Sequence, residues 1–286
     1  MKCLVFGANG QVGRALRTYD GVVALSRKQA DLTDFSDIAL AIDTHQPDVI
    51  VNAAAYTAVD DAENDAELAY LVNAEAVGEM AAYANEAGIP LIHISTDFVF
   101  DGAKDSPYTE EDEAEPLSVY GASKLAGEAL LQAHGGPHII LRVSWVFSEH
   151  GSNYVKTMLK LGAERDALKI VDDQIGGPTS AADIAGVCMQ LAARAVSEDA
   201  PAGIYHFAGA PDVSRADFTW EILSQAGLRA EVTGIPSRDF PLPAERPLNS
   251  RLDCSKLEKV FGIERPDWRK ALGRVLDELG ELKANG

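Results

Sequence analysis

Cysteine is scarce in this sequence, with three in 286 residues, at positions 3, 188 and 254. An odd number, widely spaced and lacking any Cys-x-x-Cys pair, argues against a disulfide framework or a thiolate metal site. The three thiols are expected to stay reduced and to pack as small apolar groups. Of the six histidines only His134 and His138 fall at His-x-x-x-His spacing, and the Gly-Gly-Pro between them breaks a helix, so metal-assisted hydrolysis is not expected. No run of ~18 apolar residues is present, which excludes a membrane-spanning helix. The opening Met-Lys-Cys-Leu-Val-Phe-Gly enters a strand at once and leaves no room for a signal peptide, so a cytoplasmic location is expected. Basic residues are also few: 25 Lys and Arg stand against 44 Asp and Glu, a formal net charge of −19. Such a surface repels nucleic acid and anionic membranes, and neither is expected as a partner. The acidic runs Asp60–Glu67 and Glu110–Glu115 read as solvated faces and helix-start charges.

Three local motifs carry chemistry. Lys2–Phe6 is a short apolar strand that runs into Gly7-Ala-Asn-Gly10-Gln-Val-Gly13 and then a helix. Glycines at these positions permit a tight turn, close approach of backbone to a pyrophosphate and close packing of helix on strand. The second motif, Leu91–Asp97, is a buried strand ending in two hydroxyls and a carboxylate, where a parallel sheet presents ligands. The third, Tyr120-Gly-Ala-Ser-Lys124, sets a phenol and an ammonium ~6 Å apart along one helix face. A fixed cation beside the phenol is expected to lower its pKa from ~10 and make it a usable proton donor.

Strand signals near 2–6, 22–25, 48–53, 89–95 and 137–143 alternate with helical stretches near 11–18, 34–45, 63–87 and 119–134. This alternation predicts an α/β fold, a Rossmann-type doubly wound parallel sheet with right-handed crossovers. Residues 1–150 are expected to form the dinucleotide-binding domain. Beyond residue 150 the pattern loosens into helices near 152–163, 180–197, 214–227 and 267–282. Residues 151–286 are therefore expected to be mainly a smaller C-terminal substrate-binding lobe, with Ala167–Val171 and Gly203–Phe207 as candidates to return to the main sheet.

Together with Val49–Asp60, Ser95–Gly102, Val119–Glu128, Leu141–Phe147 and Arg246–Leu252, these motifs resemble the extended, sugar-nucleotide branch of the short-chain dehydrogenase/reductase superfamily. Within it, the sequence is similar to the dTDP-4-dehydrorhamnose reductase family over nearly its whole length. The resemblance implies reduction of the 4-keto group of dTDP-4-dehydro-L-rhamnose to dTDP-L-rhamnose, with NADPH as hydride source and NADH as the alternative. It implies Thr96, Tyr120 and Lys124 as catalytic residues. Cofactor contacts carried over by position are Gly7, Gly10, Gln11, Val12 and Gly13 at the pyrophosphate, Ser26 and Arg27 after the second strand, Asp31 and Leu32 near the adenine, and Ala55, Tyr56 and Thr57 after the third strand, with Tyr120 and Lys124. A guanidinium at position 27 can pair with a 2′-phosphate, whereas an acidic residue there would favour NAD. Val59, Thr96, Asp97 and Trp145 match positions that line the sugar pocket. Arg246, Asn249 and Arg251 are candidates for the substrate diphosphate on charge grounds, since an acidic protein must supply local cations to an anionic ligand.

Some relatives form magnesium-bridged dimers through two carboxylates; here those positions are Ala15 and Ala182. No metal is therefore expected, and the chain is expected to be a monomer or a metal-independent homodimer. Dehydratases of the superfamily commonly follow the Thr with an Asp-Glu pair, but Asp97 is followed by Phe98, which transfers no proton. A reductase or epimerase of a related 4-keto-6-deoxy sugar nucleotide and a non-catalytic regulatory subunit stay open. Intact Thr96, Tyr120 and Lys124 favour catalysis.

Overall fold

The computed structural model of the protein describes residues 1–197 and 200–282. Its centre is a six-stranded parallel sheet built from β1 (Cys3–Phe6), β2 (Val22–Leu25), β3 (Val49–Asn52), β4 (Leu91–Thr96), β5 (His138–Val143) and β6 (Gly203–Phe207), in the order β6-β5-β4-β3-β1-β2. Every residue of β1 and β3 is buried, because helices cover both faces of the sheet and both alternating sets of side chains face apolar neighbours. On one face Cys3, Val5 and Leu16 pack against Ile184, Cys188 and Leu191 of the helix Ala181–Ser197. On the other, Leu4, Phe6 and Ile50 meet Ile38 and Ile42 of the helix Phe35–His45 and Val77 and Met80 of the helix Ala76–Ala87. The three cysteines are free and buried as expected, and burial pushes the Cys3 thiol up to about 12. The strand order reverses direction between β1 and β3, and a crevice forms outside their carboxyl ends.

Two local expectations are corrected. The stretch 63–87 is not one helix: short turns at Val59–Ala62 and Ala66–Tyr70 lead into a π-helical turn at Leu71–Glu75 before the regular helix Ala76–Ala87. The wide turn carries Asn73, whose side chain brackets the backbone of Tyr56, accepting from its N–H at 2.8 Å and donating to its C=O at 3.0 Å. Of the two later segments, Gly203–Phe207 joins the main sheet as β6, but Ala167–Val171 pairs with Glu231–Ile235 in a separate two-stranded sheet. A second apolar cluster, with Phe147, Met158, Phe218, Ile222, Trp268 and Leu272, holds this part together. A short helix, Ser255–Phe261, has no counterpart among the expected elements.

Candidate active site

A cleft of about 740 Å³ opens over the carboxyl ends of β1, β3, β4 and β5. Its floor on the β1 side is the glycine turn. Gly7 adopts φ +97°, where a side chain would be strained, and a Cβ there would lie 2.6 Å from the backbone nitrogen of Ala54. Gly13 serves packing instead: a Cβ would run into the carbonyl oxygen of Gly7, so the helix Gln11–Leu16 sits directly on the turn. Gln11 ties this turn to the opposite wall, its Oε1 accepting from Ser148 Oγ at 2.8 Å and Asn153 Nδ2 at 3.1 Å. At the outer end the mostly exposed Arg27 donates from Nε to Asp31 Oδ2 at 3.1 Å. The Thr33 backbone N–H, more than Arg27, holds the Asp31 carboxyl below its ordinary value.

The far wall is the helix Val119–His134, begun by Ser118, whose hydroxyl accepts from the Gly121 N–H at 3.2 Å. Gly127 lets this helix touch the π-turn, since a Cβ there would collide with the Asn73 carbonyl. Beneath it lies a buried ion pair: Arg142 on β5 donates to Glu128 from Nε at 3.0 Å and from Nη2 at 2.6 Å, and Ser95 Oγ donates to the same carboxylate. These contacts pin the helix to β4 and β5 and aim Tyr120 and Lys124 at the end of β4. Lys124 is buried and donates from Nζ to the Ile94 carbonyl at 2.8 Å, with His93 Nε2 at 2.9 Å. Burial lowers its pKa to about 8. Tyr120 shares a hydrogen bond with the Thr96 hydroxyl and packs edge-on to Phe98. Burial, reinforced by Asp97, pushes the phenol up to about 12 against that hydrogen bond. The expected lowering by Lys124 is therefore absent, and the phenol holds its proton firmly at neutral pH.

The third wall comes from the C-terminal half. Trp145 has φ +47°, an uncommon conformation for a bulky residue, and its ring lies where a Cβ on Gly176 would stand. Arg215 stacks its guanidinium 3.5 Å from the Trp145 ring centroid and 4.8 Å from that of Tyr154. Asp97 lies beside them, and burial raises its carboxyl to about 6 against hydrogen bonds from Ser250 and Thr96 and the charge of Arg215. Its Oδ2 has no hydrogen-bond partner among the described residues. A proton-bearing phenol, a lysine, a hydroxyl and a half-buried arginine thus face one cavity beside a glycine turn.

Residues 1–281 match the family model described as the RmlD substrate binding domain. The chain is 43% identical to a dTDP-4-dehydrorhamnose reductase of Sinorhizobium fredii, with 96% of this chain and 97% of that protein covered. It belongs to the dTDP-4-dehydrorhamnose reductase family. Among solved structures, the reductase of Clostridium acetobutylicum superposes with a TM-score of 0.92 at 36% identity, covering 98% of this chain and all of that one. The Bacillus anthracis reductase, solved in complex with NADP, gives 0.91 at 33% identity over 97% of this chain and 100% of its own.

In this member of the reductase family the residues expected at the site fall into two groups. Gly7, Gly10, Gln11, Val12, Arg27, Asp31, Leu32, Ala55, Tyr56, Thr57, Val59, Thr96, Asp97, Tyr120, Lys124 and Trp145 all line the cleft. Gly13 and Ser26 stand behind the lining; Ser26 Oγ donates to Gln29 Oε1 at 2.8 Å. Arg246, Asn249 and Arg251 lie outside the lining too. Arg246 is clamped by Asp60 through two bonds of 2.7 Å, Asn249 Nδ2 donates to the carbonyls of Lys104 and Ser106, and Arg251 donates to Asn249 Oδ1 and the Asp105 carbonyl. From the C-terminal half, the cation that lines the cavity is Arg215, which the sequence reading missed. A signal was present: an arginine at the first position of a helix, directly after the Ser214 cap, opposes the helix dipole and calls for another purpose.

Proposed function

We propose that the protein catalyses NADPH-dependent reduction of the 4-keto group of dTDP-4-dehydro-L-rhamnose to dTDP-L-rhamnose. The observation that carries this reading is the meeting of Thr96, Tyr120 and Lys124 in one cleft with the glycine turn, in a chain of this family. The cleft fits a dinucleotide: Gly7 and Gly10 leave its floor free of side chains and Arg27 stands at its outer end, where a 2′-phosphate would lie.

Bound NADPH supplies the hydride. Tyr120, protonated at neutral pH, donates its proton to the carbonyl oxygen as charge develops there. Thr96 hydrogen-bonds the same oxygen and holds it at the phenol. Lys124 spends one N–H on Ile94 and turns one toward the cleft, for the cofactor's ribose hydroxyls or the Tyr120 oxygen. Asp97 and Trp145 border the sugar, and Arg215 offers the local positive charge that an acidic protein needs for a nucleotide diphosphate. Residues 151–286 accordingly act mainly on the substrate side, residues 1–150 mainly on the cofactor. A cytoplasmic, metal-independent monomer or homodimer completes the reading.

The test is consumption of NADPH in the presence of the 4-keto sugar nucleotide by the wild type and by Tyr120→Phe. Loss of a positioned acid should lower turnover by about 100-fold or more while cofactor affinity stays nearly unchanged. Near-normal turnover in that variant would remove Tyr120 from the mechanism, and no consumption by the wild type would favour a non-catalytic subunit.

A further inference from the structure

Behind Lys124 lies a chain of buried polar groups that takes no direct part in hydride or proton transfer to the substrate. Ala54 donates its backbone N–H to Asn52 Oδ1 at 3.1 Å, Asn52 Nδ2 lies 3.1 Å from His93 Nδ1, and His93 Nε2 lies 2.9 Å from Lys124 Nζ. Asn52, His93 and Lys124 are each 0–1% exposed. The first bond orients the Asn52 amide, because turning it over would set its NH2 against the Ala54 N–H. Its NH2 therefore points at His93 Nδ1 and requires a lone pair there. A neutral imidazole with a lone pair on Nδ1 carries its proton on Nε2, and that N–H points at Lys124.

An uncharged lysine amine matches this arrangement: it accepts from His93 Nε2, donates to the Ile94 carbonyl and keeps one N–H for the cleft. An ammonium does not match, because it has no lone pair for the His93 N–H. Shifting the imidazole proton to Nδ1 merely moves the donor-to-donor contact to Asn52. We propose that Asn52 and His93 are positioning residues that fix the imidazole tautomer and thereby oppose the ammonium form of Lys124. The proposal rests on the reading of Tyr120 and Lys124 as a working pair. In that pair the proton lost by Tyr120 to the substrate oxygen is replaced by one from Lys124, and the amine left behind is the form that the His93 N–H stabilises.

Other groups facing Lys124 act with or beside this chain. On its own helix, Glu128 favours the ammonium but is shared with Arg142 of β5, and Tyr120 is uncharged at neutral pH. From β4 the titratable group is His93 itself, held neutral by burial and by the neighbouring lysine, and β3 contributes the uncharged Asn52.

The experiment is NMR on the cofactor-free protein, with 15N-labelled histidine and lysine labelled at Cε, across pH 6 to 10. His93 is assigned by its disappearance in His93→Gln. The expected result is a wild-type His93 protonated on Nε2 and unprotonated on Nδ1 above the Lys124 titration. In His93→Gln, whose amide oxygen can accept from an ammonium, and in Asn52→Leu, which frees Nδ1, the Lys124 titration should move up by about one pH unit or more. The limb of kcat against pH that reports Lys124 should move the same way, with KM for the sugar nucleotide within about threefold of wild type. A wild-type His93 protonated on Nδ1, or an unmoved Lys124 titration in either folded variant, overturns the proposal. Both results are independent of whether the sugar nucleotide is the substrate.

Discussion

At Asp97 burial outweighs two hydroxyl donors and a neighbouring arginine, so the carboxyl titrates at about 6 instead of 3.8. A carboxyl whose pKa is raised on folding favours the native state while protonated, and that contribution is lost as pH rises from about 4 to about 6. Asp97→Asn keeps the shape and removes the buried charge. It should be more stable than wild type by about 2–3 kcal/mol at pH 8, with the difference vanishing below pH ~4, as urea unfolding at both pH values would show. A constant difference across this range would mean that Asp97 is paired more fully than its surroundings indicate. Arg27 is the second case at this scale. If it meets the 2′-phosphate, Arg27→Ala weakens NADPH by about 1.5–3 kcal/mol and leaves NADH almost unchanged, measured by titration of each cofactor. Equal losses would place its effect on Asp31 and the local fold. Residue types in a short motif were legible in the sequence, because Gly7, Thr96, Tyr120 and Lys124 act within one turn or one strand end. Arg215 was not, because its role depends on a helix from the other half of the chain being laid across Trp145.

The helix Val119–His134 was legible to its ends, since a Ser cap opens it and Gly135 closes it. What holds it was not. A glutamate and an arginine on different elements carry no local signal, yet Glu128 and Arg142 are 1% and 3% exposed and bonded to each other. Removing one partner of such a pair strands the other charge in the interior. Glu128→Gln should therefore cost about 3–5 kcal/mol in thermal or denaturant unfolding and loosen the helix that aims Tyr120 and Lys124. A loss under about 1 kcal/mol would show that Arg142, stacked over Phe100 at 5.0 Å, is satisfied without it. The π-turn at Leu71–Glu75 escaped the sequence for a related reason. Composition there is ordinary for a helix, and only the demands of Tyr56 and Gly127 on Asn73 widen the turn.

Over the whole molecule, the parallel sheet followed from simple alternation in the first half, where each strand pairs with one nearby in sequence or with β1. The second half joins distant pieces, Ala167–Val171 with Glu231–Ile235 and Ile175–Gly176 with Asn249–Ser250. Such pairings leave no periodic trace, so the extra strands and the place of Arg215 in the cleft wall stayed hidden. Charge shows the same division of scales: a net −19 describes the surface, while Arg27, Lys124 and Arg215 line the cleft. These features support the proposed reaction, hydride delivery to a carbonyl carbon with Tyr120 as the proton donor to its oxygen. The most direct measurement supplies dTDP-4-dehydro-L-rhamnose with NADPH deuterated at the transferable position and identifies the product by NMR. The expected product is dTDP-L-rhamnose carrying one deuterium at C4 of the sugar. Deuterium at another carbon, a C4 epimer of that product, or an unchanged keto sugar would contradict it.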